Sequence, residues 1–161
     1  MTLLLDPAAQ DRFDAARREL YPAGRTRVGA HVTLFHAVPG EWRETVAADL
    51  AEVADRPAFD MLVSAVMPLG RGAAYRLDSG ELAAVQADLR SRWEAGLTPQ
   101  DRQPYRPHVT VQNKATPDEA RRTVTALRAG FTPYRVRATG LALWRYVGGP
   151  WEPLSRHLFA P

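Results

Sequence analysis

Two short stretches of the sequence carry residue types that could do chemistry at a common site. His31-Val32-Thr33-Leu34 and His108-Val109-Thr110-Val111 each place a histidine two residues before a threonine. Residues two apart share one face of an extended strand, so each motif predicts an imidazole beside a hydroxyl, with the aliphatic residues turned to the core. Each motif alone is a weak signal, but two such matches in one chain are rare by chance, which indicates one shared site.

The chemistry that two such motifs permit, if they face each other across a cleft, is acid–base catalysis on a phosphate. One neutral histidine could take a proton from a nucleophile while the other, charged beside the phosphate, protonates the leaving oxygen. The hydroxyls of Thr33 and Thr110 would donate to non-bridging oxygens and stabilise the charge of the transition state. We therefore expect neither a metal nor another cofactor.

The other two histidines of the chain are not predicted to be catalytic. His36 follows His31 by five residues, an offset that turns it to the opposite face of a straight strand. A zinc site built from His31, His36 and His108 is disfavoured because neither acidic partners nor a helical histidine spacing accompanies them. His157 has no recognisable partner, and we expect a structural role for it.

Hydrophobic periodicity and capping signals predict the elements that must position these motifs. Asp6 with Pro7 and Ser79 are predicted helix starts, and Thr116-Pro117-Asp118-Glu119 reads as a capping box. The predicted helices cover about 7–20, 41–54, a stretch that begins after Ser79, and 118–130. The predicted strands lie near 2–5, 28–37, 59–69, 73–78, the second histidine motif, 134–147 and 151–159.

A shift of 77 residues superimposes the two motifs, the helices that follow them, and the long strands after those helices. The order strand, helix, strand, strand thus occurs twice, with pseudo-repeats at about 28–78 and 105–155. The sequence predicts an α+β class: an internally duplicated bilobal fold with two mainly antiparallel sheets that face a central cleft and carry helices on their outer faces. Residues 1–161 are expected to form a single domain.

Composition excludes several classes of protein. The chain has no cysteine, so disulfides, thiolate catalysis and cysteine-ligated metal centres are ruled out. The apolar run Leu3-Leu4-Leu5 ends at Asp6-Pro7 and is too short for a signal peptide or a membrane span, so we expect a cytoplasmic protein. Net charge is +3 and Lys114 is the single lysine, so nearly every cation is an arginine. This bias has two interpretations, a genome rich in arginine codons or phosphate recognition.

The paired His-Val-Thr-aliphatic motifs, half a chain apart in a small protein, resemble those of the two-histidine (2H) phosphoesterases. The most similar branch is that of the bacterial 2′,5′ RNA ligase-like and cyclic phosphodiesterase proteins. The resemblance covers essentially the whole chain. It implies metal-independent chemistry on 2′,3′-cyclic phosphates or related 2′,5′ linkages, with His31, Thr33, His108 and Thr110 as the catalytic set. It also favours His108 as the group that activates water and His31 as the group that protonates the ribose oxygen.

Several side chains near the motifs could bind the rest of a nucleotide. The predicted substrate-binding residues are Phe35, Tyr75, Tyr105 and Arg106. Arg25 and Arg27 before the first motif, and Arg71 and Arg76 near the hairpin of Tyr75, are further cations that a phosphate could meet. The expected partner is a nucleotide cyclic phosphate or an RNA end. No obligate protein partner is evident, and a monomer fits the pattern.

Two other functions remain open at this point. The chain could be a nucleotide- or RNA-end-binding module that uses the same cleft without turnover. It could also be a structural or interaction protein in which the two strands merely pack. Hydrolysis or ligation, the base preference and the division of acid and base between the histidines are also left open by the sequence.

Overall fold

A computed structural model of the chain describes residues 1–24, 28–148 and 150–161. Within these ranges it has seven strands and four α-helices. The strands are β1 (Thr2–Leu5), β2 (Val32–Thr33), β3 (Phe59–Pro68), β4 (Ala73–Asp78), β5 (His108–Gln112), β6 (Tyr134–Tyr146) and β7 (Trp151–Leu158). The helices are α1 (Pro7–Leu20), α2 (Arg43–Ala54), α3 (Gly80–Trp93) and α4 (Pro117–Ala129).

The described strands form one antiparallel sheet in the order β1-β2-β5-β4-β3-β6-β7. Strand β1 also pairs with β6, so the first six strands close into a ring and β7 lies on the far side of β6. The pairings of this ring are unchanged when β1, β2 and β3 are exchanged for β4, β5 and β6. The two halves of the chain therefore occupy equivalent positions in the ring.

The arrangement of the strands differs from the two separate sheets that the sequence predicted. Strand β2 pairs with β5 at Val32↔Val109, and β3 pairs with β6 from Phe59↔Ala138 to Val63↔Tyr134. Backbone groups of one half thus satisfy those of the other half, and a single barrel-like sheet results. The α+β class with a mainly antiparallel sheet is confirmed.

Three helix starts are confirmed at the predicted residues. The side chains of Asp6 and Ser79 accept hydrogen bonds from the backbone N–H groups of Ala9 and Leu82, and Thr116 forms the capping box with Glu119. Each cap satisfies an N–H group that the first helical turn leaves without a partner. Helix α2 begins later than predicted, because residues Gly40–Trp42 form a 3₁₀ turn before it.

The helices cover the sheet through their apolar faces. Helix α1 packs against β5, α4 against β3, and α2 against β6 and β7. The largest fully buried side chains include Trp93, Phe13, Phe35, Leu50, Met61, Leu77, Leu82, Leu89 and Leu141. A search of the described residues finds no helix with the length and apolar character to cross a membrane.

The strand of the first histidine motif is much shorter than the predicted 28–37. Only Val32 and Thr33 belong to β2. Before it, the backbone of Ala30 is bonded to side chains of α1 instead of to a strand. After it, the N–H groups of His36 and Ala37 donate to the Asp101 carboxylate. These bonds turn the chain away from the sheet at both ends of the motif.

Gly72 is required by the close approach of β4 to β5. A Cβ atom at this position would lie 1.8 Å from the Gln112 carbonyl oxygen. We expect Gly72→Ala to lower the free energy of unfolding by about 1–3 kcal/mol or more, because backbone must shift to relieve the overlap. Urea denaturation measures the change. The matched control is Gly130→Ala, where no atom lies within 4 Å of the added methyl group. Equal stability of the two variants would contradict the prediction.

Candidate active site

The register of β2 against β5 brings the two histidine motifs together. Val32 pairs with Val109 in antiparallel orientation, so His31 comes opposite Thr110 and Thr33 comes opposite His108. Because Val32 and Val109 are fully buried, the four polar side chains share the other face of the sheet. We call His31, Thr33, His108 and Thr110 the tetrad.

The spacing of the tetrad follows from sheet geometry. Directly opposed residues have Cβ atoms about 5 Å apart, and diagonal neighbours about 7–8 Å apart. The two histidines occupy one diagonal of the tetrad and the two threonines the other. The arrangement places the two imidazoles at opposite corners of the tetrad, with a hydroxyl at each of the other two corners.

Both imidazoles are held by the same local hydrogen bond. Nδ1 of His31 lies 2.9 Å from the Gly29 carbonyl oxygen, and Nδ1 of His108 lies 2.8 Å from the Arg106 carbonyl oxygen. A carbonyl only accepts, so each Nδ1 carries a proton and donates it. Each Nε2 is then the atom that gains or loses a proton in the cleft.

Helix α1 fixes the backbone that leads into His31. The Asp14 carboxylate accepts from the Ala30 N–H at 2.6 Å, and Gln10 Nε2 donates to the Ala30 carbonyl at 2.9 Å. Arg17 Nε donates to the Val28 carbonyl at 3.1 Å. Spacings of four and three residues place these side chains on one face of the helix. We call Gln10, Asp14 and Arg17 the α1 clamp.

The α1 clamp also reaches the second motif. The Arg17 side chain is buried, and its guanidinium donates to the Thr110 carbonyl at 2.7 Å. A second link crosses in the other direction, because the Tyr105 hydroxyl donates to the Thr33 carbonyl at 3.2 Å. The two short motifs are therefore fastened to each other by side chains as well as by the sheet.

The surroundings of His31 alter the protonation of its imidazole. Burial disfavours the imidazolium and lowers the pKa of His31 below its ordinary 6.5. The hydrogen bond to Gly29 acts in the opposite direction, and the positive charge of Arg17 lowers the pKa further. Burial and the charge of Arg17 thus favour the neutral form of His31 in the free protein.

One pocket is lined by His31, and a second is lined by the residues that directly precede His108. The His31 pocket, of about 460 Å³, is lined by His31, Gly29, Thr2, Leu4, Trp144, Trp151 and Arg156, among others. The second pocket, of about 740 Å³, is lined by Arg106, Pro107, Tyr105, Arg76, Asp78 and Met67, among others. We call it the His108 pocket because Tyr105, Arg106 and Pro107 lead into His108, although His108 itself is not in the described lining. The first pocket abuts β1 and the second abuts β4, which are equivalent strands in the ring.

Two of the predicted substrate-binding residues lie at the His108 pocket. Tyr105 is half-buried, and burial raises the pKa of its hydroxyl. Arg106 is exposed, and its carbonyl holds the His108 ring. Arg76 pairs with His108 across β4 and β5 and makes an ion pair with Asp78.

The other two predicted substrate-binding residues lie away from the cleft. Phe35 is 0% exposed and packs edge-on against Trp93, because the chain leaves the sheet after Thr33 and strand alternation no longer holds. Tyr75 pairs with Val109 and therefore points to the face opposite the tetrad, where its ring lies 5.8 Å from Phe13. Strand parity within β4 is a sequence signal that could have excluded Tyr75.

The remaining predicted cations and histidines are placed as follows. Arg25 and Arg27 lie outside the described residues. Arg71 donates to the Ala115 carbonyl. His36 donates to Asp101, and His157 contacts the Ser155 hydroxyl at 3.0 Å. Among the described residues there is no group of three or more acidic or histidine side chains that could hold a metal ion.

Sequence reasoning missed the α1 clamp and left Trp144 and Trp151 unassigned. The clamp did have a signal, since three polar residues at helical spacing interrupt the inward side of an otherwise amphipathic helix. The contact between Trp151 and His31, with ring centroids 4.7 Å apart, joins residues from opposite ends of the chain. No local pattern reports such a contact.

Comparison with known families agrees with this geometry. The model of the family described as the 2′-5′ RNA ligase superfamily matches residues 5–150. The chain belongs to this superfamily. The predicted resemblance to the 2H phosphoesterases is thereby confirmed. A comparison with curated protein sequences finds no match.

Solved structures related to the superfamily share the whole fold. TT0787 of Thermus thermophilus has a TM-score of 0.69 at 17% identity, over 98% of this chain and 95% of that chain. E. coli LigT complexed with 3′-AMP has a TM-score of 0.65 at 18% identity, over 99% and 96%. LigT complexed with ATP has a TM-score of 0.61 at 21% identity, over 99% and 95%. At these identities the likeness shows the fold.

The protonation of His31 in this superfamily member can be tested directly. We expect its NMR titration to give a pKa below 6.5, because burial destabilises the imidazolium. Trp151→Ala should raise that pKa, since it uncovers the ring. The His31→Asn variant assigns the signal. A pKa of 6.5 or above in the unaltered protein would contradict burial as the dominant influence on this ring.

The α1 clamp predicts a stability difference between two aspartates of one helix. Asp14→Ala leaves the Ala30 N–H without its acceptor, so we expect the free energy of unfolding to fall by about 1–3 kcal/mol. Asp11→Ala is the matched control, because Asp11 is exposed and has no bonded partner among the described residues. That variant should change stability by less than about 0.5 kcal/mol. Denaturation with urea measures both, and similar values would argue against the clamp.

Proposed function

We propose that this protein is a phosphoesterase that hydrolyses 2′,3′-cyclic phosphodiesters of nucleotides or RNA ends, or related 2′,5′ linkages. The observation that carries the proposal is the tetrad, with two Nε2 atoms and two hydroxyls on one face of the sheet. Membership of the 2′-5′ RNA ligase superfamily supports a function of the phosphoesterase type. LigT, which has the same fold, is complexed with 3′-AMP, ATP and phosphate in its structures.

The proposed reaction is an in-line displacement at phosphorus. Nε2 of His108 takes a proton from water as the water oxygen bonds to phosphorus. The bond from phosphorus to a ribose oxygen breaks, and Nε2 of His31 donates its proton to that oxygen. The same steps in reverse would make a phosphodiester, with the two roles exchanged.

The threonines and the backbone complete the proposed machinery. Thr33 and Thr110 donate their hydroxyl protons to the non-bridging oxygens, whose negative charge grows in the transition state. The Nδ1 hydrogen bonds to Gly29 and Arg106 keep each ring in the orientation and tautomer that exposes Nε2. Every step is assigned to a side chain of the chain itself, so the proposed chemistry is independent of metal.

Neutral His31 must gain a proton before it can act as an acid. The phosphate anion of a bound substrate favours the imidazolium and raises the pKa of a neighbouring histidine. Substrate binding thus offsets the effect of burial in the free protein. Because kcat/KM reports the free enzyme, one limb of its pH profile should still reflect the lowered pKa of His31.

The proposed domain is one unit of 1–161 built from two equivalent halves. The exchange symmetry of the strand ring supports this duplication. Each half then runs strand, helix, histidine strand, helix, strand, at residues 2–68 and 73–146, with β7 as an addition. The sequence placed the repeats at 28–78 and 105–155, because it aligned them from the histidine motifs onward and left out the strand and helix before each motif.

The test is turnover of the four 2′,3′-cyclic mononucleotides and of a 2′,5′-linked dinucleotide, with EDTA present. We expect hydrolysis that EDTA does not affect and a bell-shaped pH profile of kcat/KM with one apparent pKa below 6.5. His31→Ala and His108→Ala should each lower kcat by about 10²- to 10⁴-fold. His157→Ala is the control, since His157 lies in the strand row of Leu141, Leu3 and Val32, on the face opposite the tetrad, and it should keep full activity.

Three results would count against the proposal. Either histidine variant could retain the unaltered rate at every pH. Activity could disappear with EDTA and return with a divalent metal. A nucleotide could bind and be recovered unchanged after long incubation, which would make the chain a binding module instead of an enzyme.

A further inference from the structure

Indole rings lie on the His31 side of the tetrad and not on its His108 side, among the described residues. Trp151 contacts His31, with ring centroids 4.7 Å apart at an interplanar angle of 56°. Trp144 lies 6.1 Å from Trp151 at 45°. We call Trp144 and Trp151 the indole wall, and both line the His31 pocket. The described lining of the His108 pocket contains no indole ring.

A hydrogen bond, strand pairing and an ion pair hold the indole wall in place without a bound substrate. Nε1 of Trp144 donates to the Thr2 hydroxyl at 2.8 Å. Strands β6 and β7 pair along their length, and an ion pair between Arg145 and Glu152 ties them next to the two indoles. Both rings are half-buried, so part of each remains open to the pocket.

An arginine side chain, that of Arg156, also lines the His31 pocket. Arg156 pairs with Ala142 in the β6–β7 ladder, and Ala142 pairs with Thr2, so the arginine extends a row of residues that starts at Thr33. Its side chain is exposed and has no bonded partner among the described residues. Guanidinium groups bind phosphate oxygens and the polar edges of bases.

Together these features describe a subsite for a flat, polar-edged ring attached to a phosphate. A pocket of about 460 Å³ has the volume of sites for small organic ligands. Indole faces stack on nucleobases with little dependence on sequence, because every base has a π-face. His31 lines the same pocket, so a phosphate bound at His31 would lie beside such a ring.

We infer that the indole wall and Arg156 bind the nucleobase of the nucleoside whose ribose carries the scissile phosphate. This inference rests on the proposed phosphoesterase function and adds the orientation of its substrate. With the nucleoside on the side of His31, the leaving ribose oxygen lies beside His31, and water enters from the side of His108. This orientation agrees with the roles that the resemblance to the 2H phosphoesterases implies for the two histidines.

The experiment compares two substrates that differ only in the base. They are adenosine 2′,3′-cyclic phosphate and the 2′,3′-cyclic phosphate of methyl riboside, which has no base. We expect a kcat/KM for the adenosine substrate that is about 5- to 150-fold higher, the effect of stacking one base. Trp151→Ala should remove most of this preference, and Trp151→Phe should retain much of it.

Two further variants control for structural effects. Tyr146→Ala removes an aromatic ring that is 73% exposed and pairs with Trp151 in the ladder, yet does not line the described pocket, so the preference should be unchanged. If Trp151→Ala fails to fold, Trp151→Leu replaces it, because leucine keeps an apolar side chain over His31 but has no π-face. An equal loss of kcat/KM for both substrates in Trp151→Leu would overturn the inference, because the indole would then act only through His31.

Binding separates failure of the subsite from failure of the proposed reaction. In the His108→Ala variant, 3′-AMP and inorganic phosphate are titrated against tryptophan fluorescence. We expect 3′-AMP to bind more tightly than phosphate, to quench the fluorescence, and to lose this advantage in His108→Ala/Trp151→Leu. If no cyclic substrate is hydrolysed but 3′-AMP still binds in this way, the nucleobase subsite is supported and the proposed reaction is refuted. If 3′-AMP binds no better than phosphate, the subsite is refuted whatever the activity.

Discussion

The pairing of Val32 with Val109 is the contact on which the candidate site depends. Strand β2 contains only two residues, so a slip of one residue would send both members of its motif to the opposite face. The α1 clamp and the Tyr105 hydroxyl compensate for the short ladder, because they hold backbone carbonyls of both motifs. Register is thus secured by buried side-chain hydrogen bonds where the sheet alone offers little.

The strand ring makes the two motifs equivalent, and side chains then make them different. The register of β1 with β2 brings Leu4 opposite His31, whereas Arg76 pairs with His108. The indole wall covers His31, and burial lowers its pKa. The same backbone geometry thus presents the two imidazoles to different neighbours, with Leu4 and the indole wall at His31 and Arg76 at His108.

Much of the fold could be predicted because its signals are local. Capping at Asp6, Ser79 and Thr116, and alternation along β3, depend on residues close in the chain. The same is true of the His-Thr pairs, whose common face follows from period-two geometry. The closure of the sheet was missed, since the pairing of β3 with β6 joins residues more than seventy positions apart.

The errors at the candidate site have a similar origin. Phe35 was expected to share the face of His31, but the Asp101 carboxylate attracts the N–H groups of His36 and Ala37 and ends the strand early. Burial alone would raise the pKa of Asp101, yet these hydrogen bonds, with those of the His36 ring and Thr98, hold it below its usual range. A charged, buried acceptor supplied from a distant loop cannot be read from the alternation of one strand.

The hydrogen bond from each imidazole to the carbonyl two residues earlier has a consequence for variation in the chain. The acceptor is a backbone oxygen, so the side chain at that position is free to change without altering the ring. Glycine occupies it in one motif and arginine in the other, and both rings are held alike. At Gly29 a larger side chain would meet a separate restriction, because a Cβ atom would lie 3.0 Å from an Asp14 carboxylate oxygen. A histidine that is held by the main chain two residues before it keeps its orientation when the side chains around it differ, as they do between the two motifs.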